Sequence, residues 1–372
     1  MRGVLQLRAR ARPGERGSLT STASPANGPA CPVPQSTYAH VQLGHGSGGK
    51  LSAALLRERF LPRFDNPALA ELGDGAVIEA LAGRIVVSTD TFVVAPLEFP
   101  GGNIGTLAVH GTLNDLAMMG AVPRCLTAGF VLEEGLPFDV LDRVLEAMSG
   151  AARAAGVPIV AGDTKVVERG KADGMFVNTT GIGVLRDDFR PGPRGGRPGD
   201  AVLVSGPIGR HGMAVMAARE DLRFQSTITS DTAALAPLVE LLRDRVGRAV
   251  HALRDPTRGG VATALNELAQ AAGVGVELED HALPVPEAVA AACAVLGLDP
   301  LYVANEGILL ALVSPEASEP ALTALRSHPL GAGAARIGTV VAEHRGLVTL
   351  KTRVGGSRIV DMLPGDQLPR IC

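Results

Sequence analysis

Arg84–Met119, RIVVSTDTFVVAPLEFPGGNIGTLAVHGTLNDLAMM, passes from an apolar run through a connection bearing proline and glycine into a long apolar segment. Arg84–Ser88 (RIVVS) reads as a buried strand ending at Thr89-Asp90. Ile104–Met119, after the Gly101-Gly102 turn, reads as a helix with Leu107, Leu116 and Met119 among its apolar positions. Downstream, Phe138–Ala155 sets Val140, Leu141, Val144, Leu145, Met148 and Ala152 at helical spacing. Val157–Ala161 returns to strand and runs straight into Gly162-Asp163-Thr164-Lys165, and Met175–Leu185 is a further strand. Strands and helices mixed in this order predict an α+β or α/β domain.

That stretch accounts for less than half of a 372-residue chain, which exceeds the usual range of a single core and predicts two domains. Arg190–Asp200 (RPGPRGGRPGD) is the linker candidate, and Ala201–Ser205 (AVLVS) opens the second domain with a short buried strand. There, Gly260–Ala272 reads as an amphipathic helix after the turn Asp255–Gly259. Leu301–Val313 reads as a strand interrupted by Asn305-Glu306-Gly307. Residues 1–37 read as a disordered extension or an over-long start: Arg2, Arg8, Arg10, Arg12 and Arg16 precede a Ser/Thr/Pro/Ala/Gly stretch, and no apolar segment follows as a secretory signal requires. Pro364–Cys372 lacks periodicity and reads as a mobile tail.

A net charge of −3 and aromatics at 3%, with no tryptophan, argue against a nucleic-acid footprint. No apolar run approaches the roughly 20 residues that span a bilayer. Four dispersed cysteines without CxxC spacing give neither a disulfide framework nor a zinc site, so a reduced, cytoplasmic setting is expected. Cys125 and Cys293 lie in apolar surroundings and read as core residues, Cys31 belongs to the extension, and Cys372 is the last residue.

Gly44–Lys50 (GHGSGGK) fits G-x-x-x-x-G-K, between a strand-like Ala39–Leu43 and a helical Leu51–Leu61. Leu51, however, stands where a P-loop needs a hydroxyl for Mg²⁺. The segment reads as a glycine-rich flap over a nucleotide or as a plain flexible turn. Asp74, Asp90, Asp115 and Asp163, at strand ends and beside glycines, are hard oxygen donors that suit Mg²⁺ and its polyphosphate, or are simply caps and turn residues. Lys165 could meet a phosphate or lie solvated. In Asp255–Gly260 (DPTRGG), Arg258 and the backbone N–H groups at a helix start form an anion site or an ordinary N-cap. Glu306 in an apolar segment costs several kcal/mol unless paired or functional, which favours function. A thiol on a mobile arm can visit another protein and return, with Arg370 favouring its thiolate.

HGSGG (His45–Gly49), STDTFVVAPLEFPGGNIG (Ser88–Gly105), NDLAMMGA (Asn114–Ala121), GFVLEEGLP (Gly129–Pro137), AGDTKVVERG (Ala161–Gly170), DPTRGGV (Asp255–Val261), ANEG (Ala304–Gly307) and the final PRIC (Pro369–Cys372) together resemble the HypE family of [NiFe]-hydrogenase maturation proteins. That family lies in the superfamily of aminoimidazole ribonucleotide synthetase and selenophosphate synthetase, and the likeness covers residues 39–372. The resemblance implies an α+β homodimer of two-domain subunits. N-terminal domains (38–190) would pair into a barrel-like sheet, followed by a linker (191–200), an α/β sandwich-type C-terminal domain (201–363) and the mobile tail (364–372). It further implies ATP and Mg²⁺ as cofactors. His45, Gly46, Gly48, Asp74, Asp90, Thr91, Asn114, Asp115, Asp163 and Thr164 would bind nucleotide, with Asp74, Asp90, Asp115 and Asp163 on the metal.

The implied chemistry is ATP-dependent dehydration of a carbamoyl group on Cys372, loaded by a HypF-type carbamoyltransferase. Glu306 would act as base and Lys165 would offset developing negative charge. The resulting thiocyanate would give its cyanide to iron on a HypC–HypD scaffold. A selenophosphate-synthetase-like kinase places its reactive Cys or selenocysteine in the glycine loop, where this chain has His45 and Ser47. A small-molecule kinase such as thiamine-monophosphate kinase gives Cys372 no role, and a non-catalytic ATP-binding carrier would not keep the aspartates.

Overall fold

The computed structural model describes residues 38–73, 75–79, 82–186, 188–219, 227–362, 368 and 370–372. The chain divides into Met1–Tyr38 and Ala39–Cys372, and every element below lies in the second unit. The extension over 1–37, Asp74, and residues 364–367 and 369 of the tail lie outside the described residues.

The first half carries helices α1 (Lys50–Leu55) and α2 (Pro67–Ala70) and strands β1 (Ile85–Phe92), β2 (Glu98–Phe99) and β3 (Gly102–Asn103). These are followed by α3 (Ile104–Met118), β4 (Ala121–Glu133), α4 (Phe138–Ala155), β5 (Ile159–Val167) and β6 (Met175–Leu185). β1, β6, β4 and β5 form a four-stranded sheet in that order, with β4 and β5 parallel and the other pairs antiparallel. The parallel pair needs a crossover, which α4 supplies with an apolar stripe of Leu141, Val144, Leu145, Met148 and Ala152.

α3 begins where Asn103 accepts hydrogen bonds from the Gly105 and Thr106 N–H groups and Thr106 Oγ1 returns one to the Asn103 carbonyl. Nearly the whole helix is buried, so no amphipathic stripe marks it in the sequence. Its C-terminal turn carries Asn114 and Asp115.

The second half carries β7 (Ala201–Val204), α5 (Arg210–Ala218), α6 (Ala236–Val246), β8 (Val250–Arg254), α7 (Gly260–Ala272), β9 (Gly275–Glu279) and α8 (Glu287–Leu296). Then come β10 (Leu310–Val313), α9 (Ser318–Arg326), β11 (Ala335–Val341), β12 (Val348–Lys351) and β13 (Ser357–Val360). Its sheet has the order β13-β12-β9-β11-β7-β10-β8, antiparallel except for β12 and β9. Residues 190–200 form no element, yet they are packed down: a Cβ on Gly195 would lie 2.0 Å from the His251 carbonyl oxygen, and Asp200 meets His251 Nδ1 at 2.8 Å.

Three local expectations are corrected. Ala39–Leu43 forms only an isolated bridge from His40 to Pro137, and a 3₁₀ turn over Leu43–Gly46 stands where a P-loop would need strand then helix. β5 does not stop at Ala161 but continues through Gly162–Val167, so Asp163 and Lys165 are strand residues. Leu301–Val313 is a buried loop up to Leu309, and only Leu310–Val313 is strand. Asn305 lets this loop be buried: its side chain donates to the Pro256 and Val303 carbonyls and accepts from the Gly209 N–H.

Candidate active site

Strand register decides which predicted residues meet. Residues directly opposite one another share a face, and Asp163 is opposite Gly129, which is opposite Asn178, which is opposite Thr91. Asp163, Lys165 and Thr91 therefore lie on the outer face of the first sheet. Asp90, one residue away, lies on the inner face beneath α3. There Ser88 Oγ donates to Asp115 Oδ2 at 2.6 Å.

Around that inner face an acidic group assembles from both halves of the chain. Burial raises the Asp115 carboxyl, with the Asp90 charge adding to the rise. Burial likewise raises Asp255, to about 7, helped by the Asp115 charge and opposed by Arg254. Glu306, 2% exposed, is pushed well above the usual carboxylate range by burial and then by Asp255, Asp231 and Asp90. The Glu306 loop is held by Asp231, whose carboxylate accepts the Glu306 and Gly307 N–H groups at 3.3 and 3.1 Å. A Cβ on Gly307 would lie 1.6 Å from the Asp231 carbonyl oxygen, so only glycine allows this approach.

The Cys372 thiol lies beside the Glu306 carboxyl, close enough for each to perturb the other, and Glu306 Oε1 is buried without a hydrogen-bond partner. Burial, then the Glu306 charge, raises this thiol well above its ordinary value, and Arg258 opposes the rise. The residue read as the end of a mobile tail is thus docked, half-buried, against the predicted base. The other described cysteines are core residues: burial raises the Cys125 thiol, and that of Cys293 to about 11.

Asp163 and Lys165 form an exposed pair at 2.9 Å, and Lys165 holds the Asp163 carboxyl below its usual range. Such a pair contributes under about 1 kcal/mol to stability, so both ends are free to exchange partners. With Thr164 they border a cavity of about 190 Å³ whose other walls include His45, Gly46 and Gly48 and, deeper, Phe60 and Phe130. Burial lowers the His45 pKa. Asn114 is 1% exposed, and its amide is committed between the halves, donating to the Ala233 carbonyl and accepting from the Leu235 N–H.

Both regions fit the nucleotide and metal the sequence points to. The cavity offers backbone beside glycines, a cation and apolar walls. The inner group offers hard carboxylate oxygens whose mutual repulsion a divalent cation would relieve. Among the described residues no three His, Cys, Asp or Glu side chains converge into a ready-made metal cage. Asp231, Asp255 and Arg254 were not singled out from sequence. Asp255 had a signal in the DPTRGG turn, whereas Asp231 had none.

The raised Asp255 sets a testable stability profile. Its folded carboxyl holds a proton between pH 3.8 and about 7 that the unfolded chain has lost, so its contribution falls as pH rises through that window. Asp255→Asn is expected to match the native chain near pH 4 and, without added metal, to be the more stable by up to ~4 kcal/mol above pH 7. Denaturant titrations at the two pH values measure this, and equal stability at pH 8 would contradict it.

The model of the AIR synthase related protein N-terminal domain matches residues 72–185, and that of the C-terminal domain matches 197–351. A carbamoyl dehydratase HypE of Cupriavidus necator is 53% identical over 333 residues, covering 89% of this chain and 95% of that protein. The crystal structure of a hydrogenase maturation protein HypE in complex with ATP superposes with a TM-score of 0.85 at 50% identity, over 89% of this chain and 99% of that one. A chain of a HypE–HypF complex superposes with a TM-score of 0.73 at 48% identity, over 83% of this chain and 100% of that one.

Proposed function

This chain belongs to the HypE carbamoyl dehydratase family of AIR synthase related proteins, and from that premise we propose that it uses ATP to dehydrate a carbamoyl group on its own Cys372 to a protein-bound thiocyanate. It is a dehydratase of hydrogenase maturation. The observation that carries the finer reading is the seating of Cys372 beside Glu306, whose Oε1 is buried without a hydrogen-bond partner.

A HypF-type carbamoyltransferase loads the thiol. The carbamoyl oxygen then takes the γ-phosphoryl group of ATP, releasing ADP, and the C–O bond breaks with phosphate as leaving group. Glu306 removes the nitrogen protons, leaving a C≡N group on sulfur; the water lost is carried off in the phosphate. Lys165, on the sheet face opposite Asp90, would offset charge on the phosphoryl oxygens across the paired sheets of a homodimer. Mg²⁺, when bound with the nucleotide, would neutralise phosphate charge, and Asp90 and Asp115 would hold it, with Asp74 a further candidate and Asp163, on the opposite sheet face, joining only across the dimer seam. The cyanide passes to iron on a HypC–HypD scaffold.

Residues 38–190 supply the nucleotide segment, 201–363 supply Glu306 and Arg258, and 364–372 form the carrier arm. A homodimer is supported by the outer sheet face, where Ile85 and Val87 are 54% and 62% exposed. Pairing of that face into a barrel-like sheet would carry Asp163 and Lys165 into the seam between protomers.

Single-turnover nucleotide measurements test the reading. One ADP should form per carbamoyl-loaded chain, and Asp163→Asn should raise the Kd for Mg²⁺–ATP about tenfold, the loss of one charge-assisted contact. Stoichiometric ADP formed without a loaded arm would contradict the dehydration reading, and an unchanged Kd would remove Asp163 from the nucleotide site.

A further inference from the structure

What holds the arm in place is distinct from what reacts with it. Ile371 is 3% exposed and packs into the core formed by the first sheet, α3 and α4, together with Val215 of α5 and Ala304. Its carbonyl oxygen lies 2.8 Å from His211 Nε2, and His211 Nδ1 lies 2.8 Å from Ser230 Oγ. One residue earlier, the Arg370 carbonyl accepts from the Arg219 guanidinium at 3.0 Å and from the Ala95 N–H at 3.2 Å, and the Arg370 side chain pairs with Asp173.

The roles of His211 follow from its partners. A carbonyl only accepts, so Nε2 carries the proton and donates to Ile371. Complete burial lowers the His211 pKa to about 4, so the ring is neutral and Nδ1 accepts from Ser230 Oγ. The Ser230 hydroxyl oxygen in turn accepts the Thr232 N–H at 3.1 Å. The ring edge is fixed against Phe99 at 5.4 Å between centroids. The next residue along, Asp231, grips the Glu306 and Gly307 N–H groups. Adjacent residues of one segment thus fix both partners of the thiol–carboxyl contact, Ser230 through the arm and Asp231 through the Glu306 loop.

We propose that His211 is a positioning residue of the dehydration step: with Ser230 it latches the arm by the Ile371 carbonyl and so sets where Cys372 sulfur sits relative to Glu306. None of the latch contacts involves the Cys372 side chain. The latch therefore accepts the arm whether the sulfur carries hydrogen, a carbamoyl group or cyanide, as a carrier that must redock after loading requires. This inference rests on the reading of Cys372 as carrier.

Its test uses the full chain and iodoacetamide, with alkylation of Cys372 followed on the C-terminal peptide by mass spectrometry. His211→Phe keeps the ring volume but has no N–H, and alkylation should accelerate about tenfold, the loss of one buried hydrogen bond. His211→Gln presents an amide N–H near the Nε2 position and should return the rate to within about threefold of native. Ser230→Ala, a small change safe for folding, should fall between the two. In the carbamoyl-loaded chain, His211→Phe should lower kcat for dehydration while KM for ATP is unchanged, and Gln should restore it. Native-rate alkylation in His211→Phe, or a Gln variant no better than Phe, would overturn the latch. Alkylation requires no carbamoyl chemistry, so a native chain that never dehydrates would sink the carrier reading while leaving the alkylation series intact.

Discussion

Cys372→Ala is expected to abolish carbamoyl uptake completely. The other described thiols cannot substitute: Cys125 and Cys293 are 3% and 1% exposed and fixed within β4 and α8, where a carbamoyltransferase cannot reach them. The substitution removes one sulfur and leaves the arm seated, because Ile371 and its carbonyl make the docking contacts. Loss of uptake would therefore report the thiol and not a displaced tail. Intact-mass spectra of native and variant chains, each incubated with a HypF-type carbamoyltransferase, carbamoyl phosphate and ATP, make the comparison. Carbamoyl gain by the alanine variant would assign the carrier elsewhere.

Glu306→Gln is expected to trap the next state, with the arm loaded but not dehydrated. Glutamine preserves shape and the backbone contacts to Asp231 but cannot take protons from the carbamoyl nitrogen. The rate should fall on the order of 10³-fold, the usual worth of a positioned general base. Burial and the neighbouring carboxylates hold the Glu306 carboxyl high, so its ionised form is a stronger base than an exposed glutamate. The sign of the pH dependence follows: dehydration by the native chain should quicken as pH rises and Glu306 loses its proton, and the Gln variant should lack that limb. Quench experiments on pre-loaded chains at several pH values measure both, and normal thiocyanate formation by Glu306→Gln would remove Glu306 as base.

The sequence was most legible where chemistry and local structure coincide. Asp90 after a β-rich run, Asp115 on a long apolar segment, and a cysteine after Arg370-Ile371 can each be read from neighbours alone. Face and distance cannot. Asp90 and Asp163 are both strand aspartates, yet the registers of β1, β6, β4 and β5 set them on opposite faces, and the 72 residues between them carry no parity information. Leu301–Leu309 mimics a strand because Leu301, Val303, Ala304, Ile308 and Leu309 are all buried; what makes it a loop is Asn305 satisfying the nearby Val303 carbonyl together with the distant Pro256 carbonyl and Gly209 N–H. His211, Ser230 and Asp231 had no local signature, since their meaning comes from partners at Ile371 and Glu306.

The most direct measurement is the intact mass of the native chain followed in time with carbamoyltransferase, carbamoyl phosphate and ATP. Carrier dehydration predicts a gain of one carbamoyl group mapped to Cys372, then loss of one water that requires hydrolysable ATP. A carbamoylated chain that never loses water with ATP present, or loses it equally well without ATP, would contradict it.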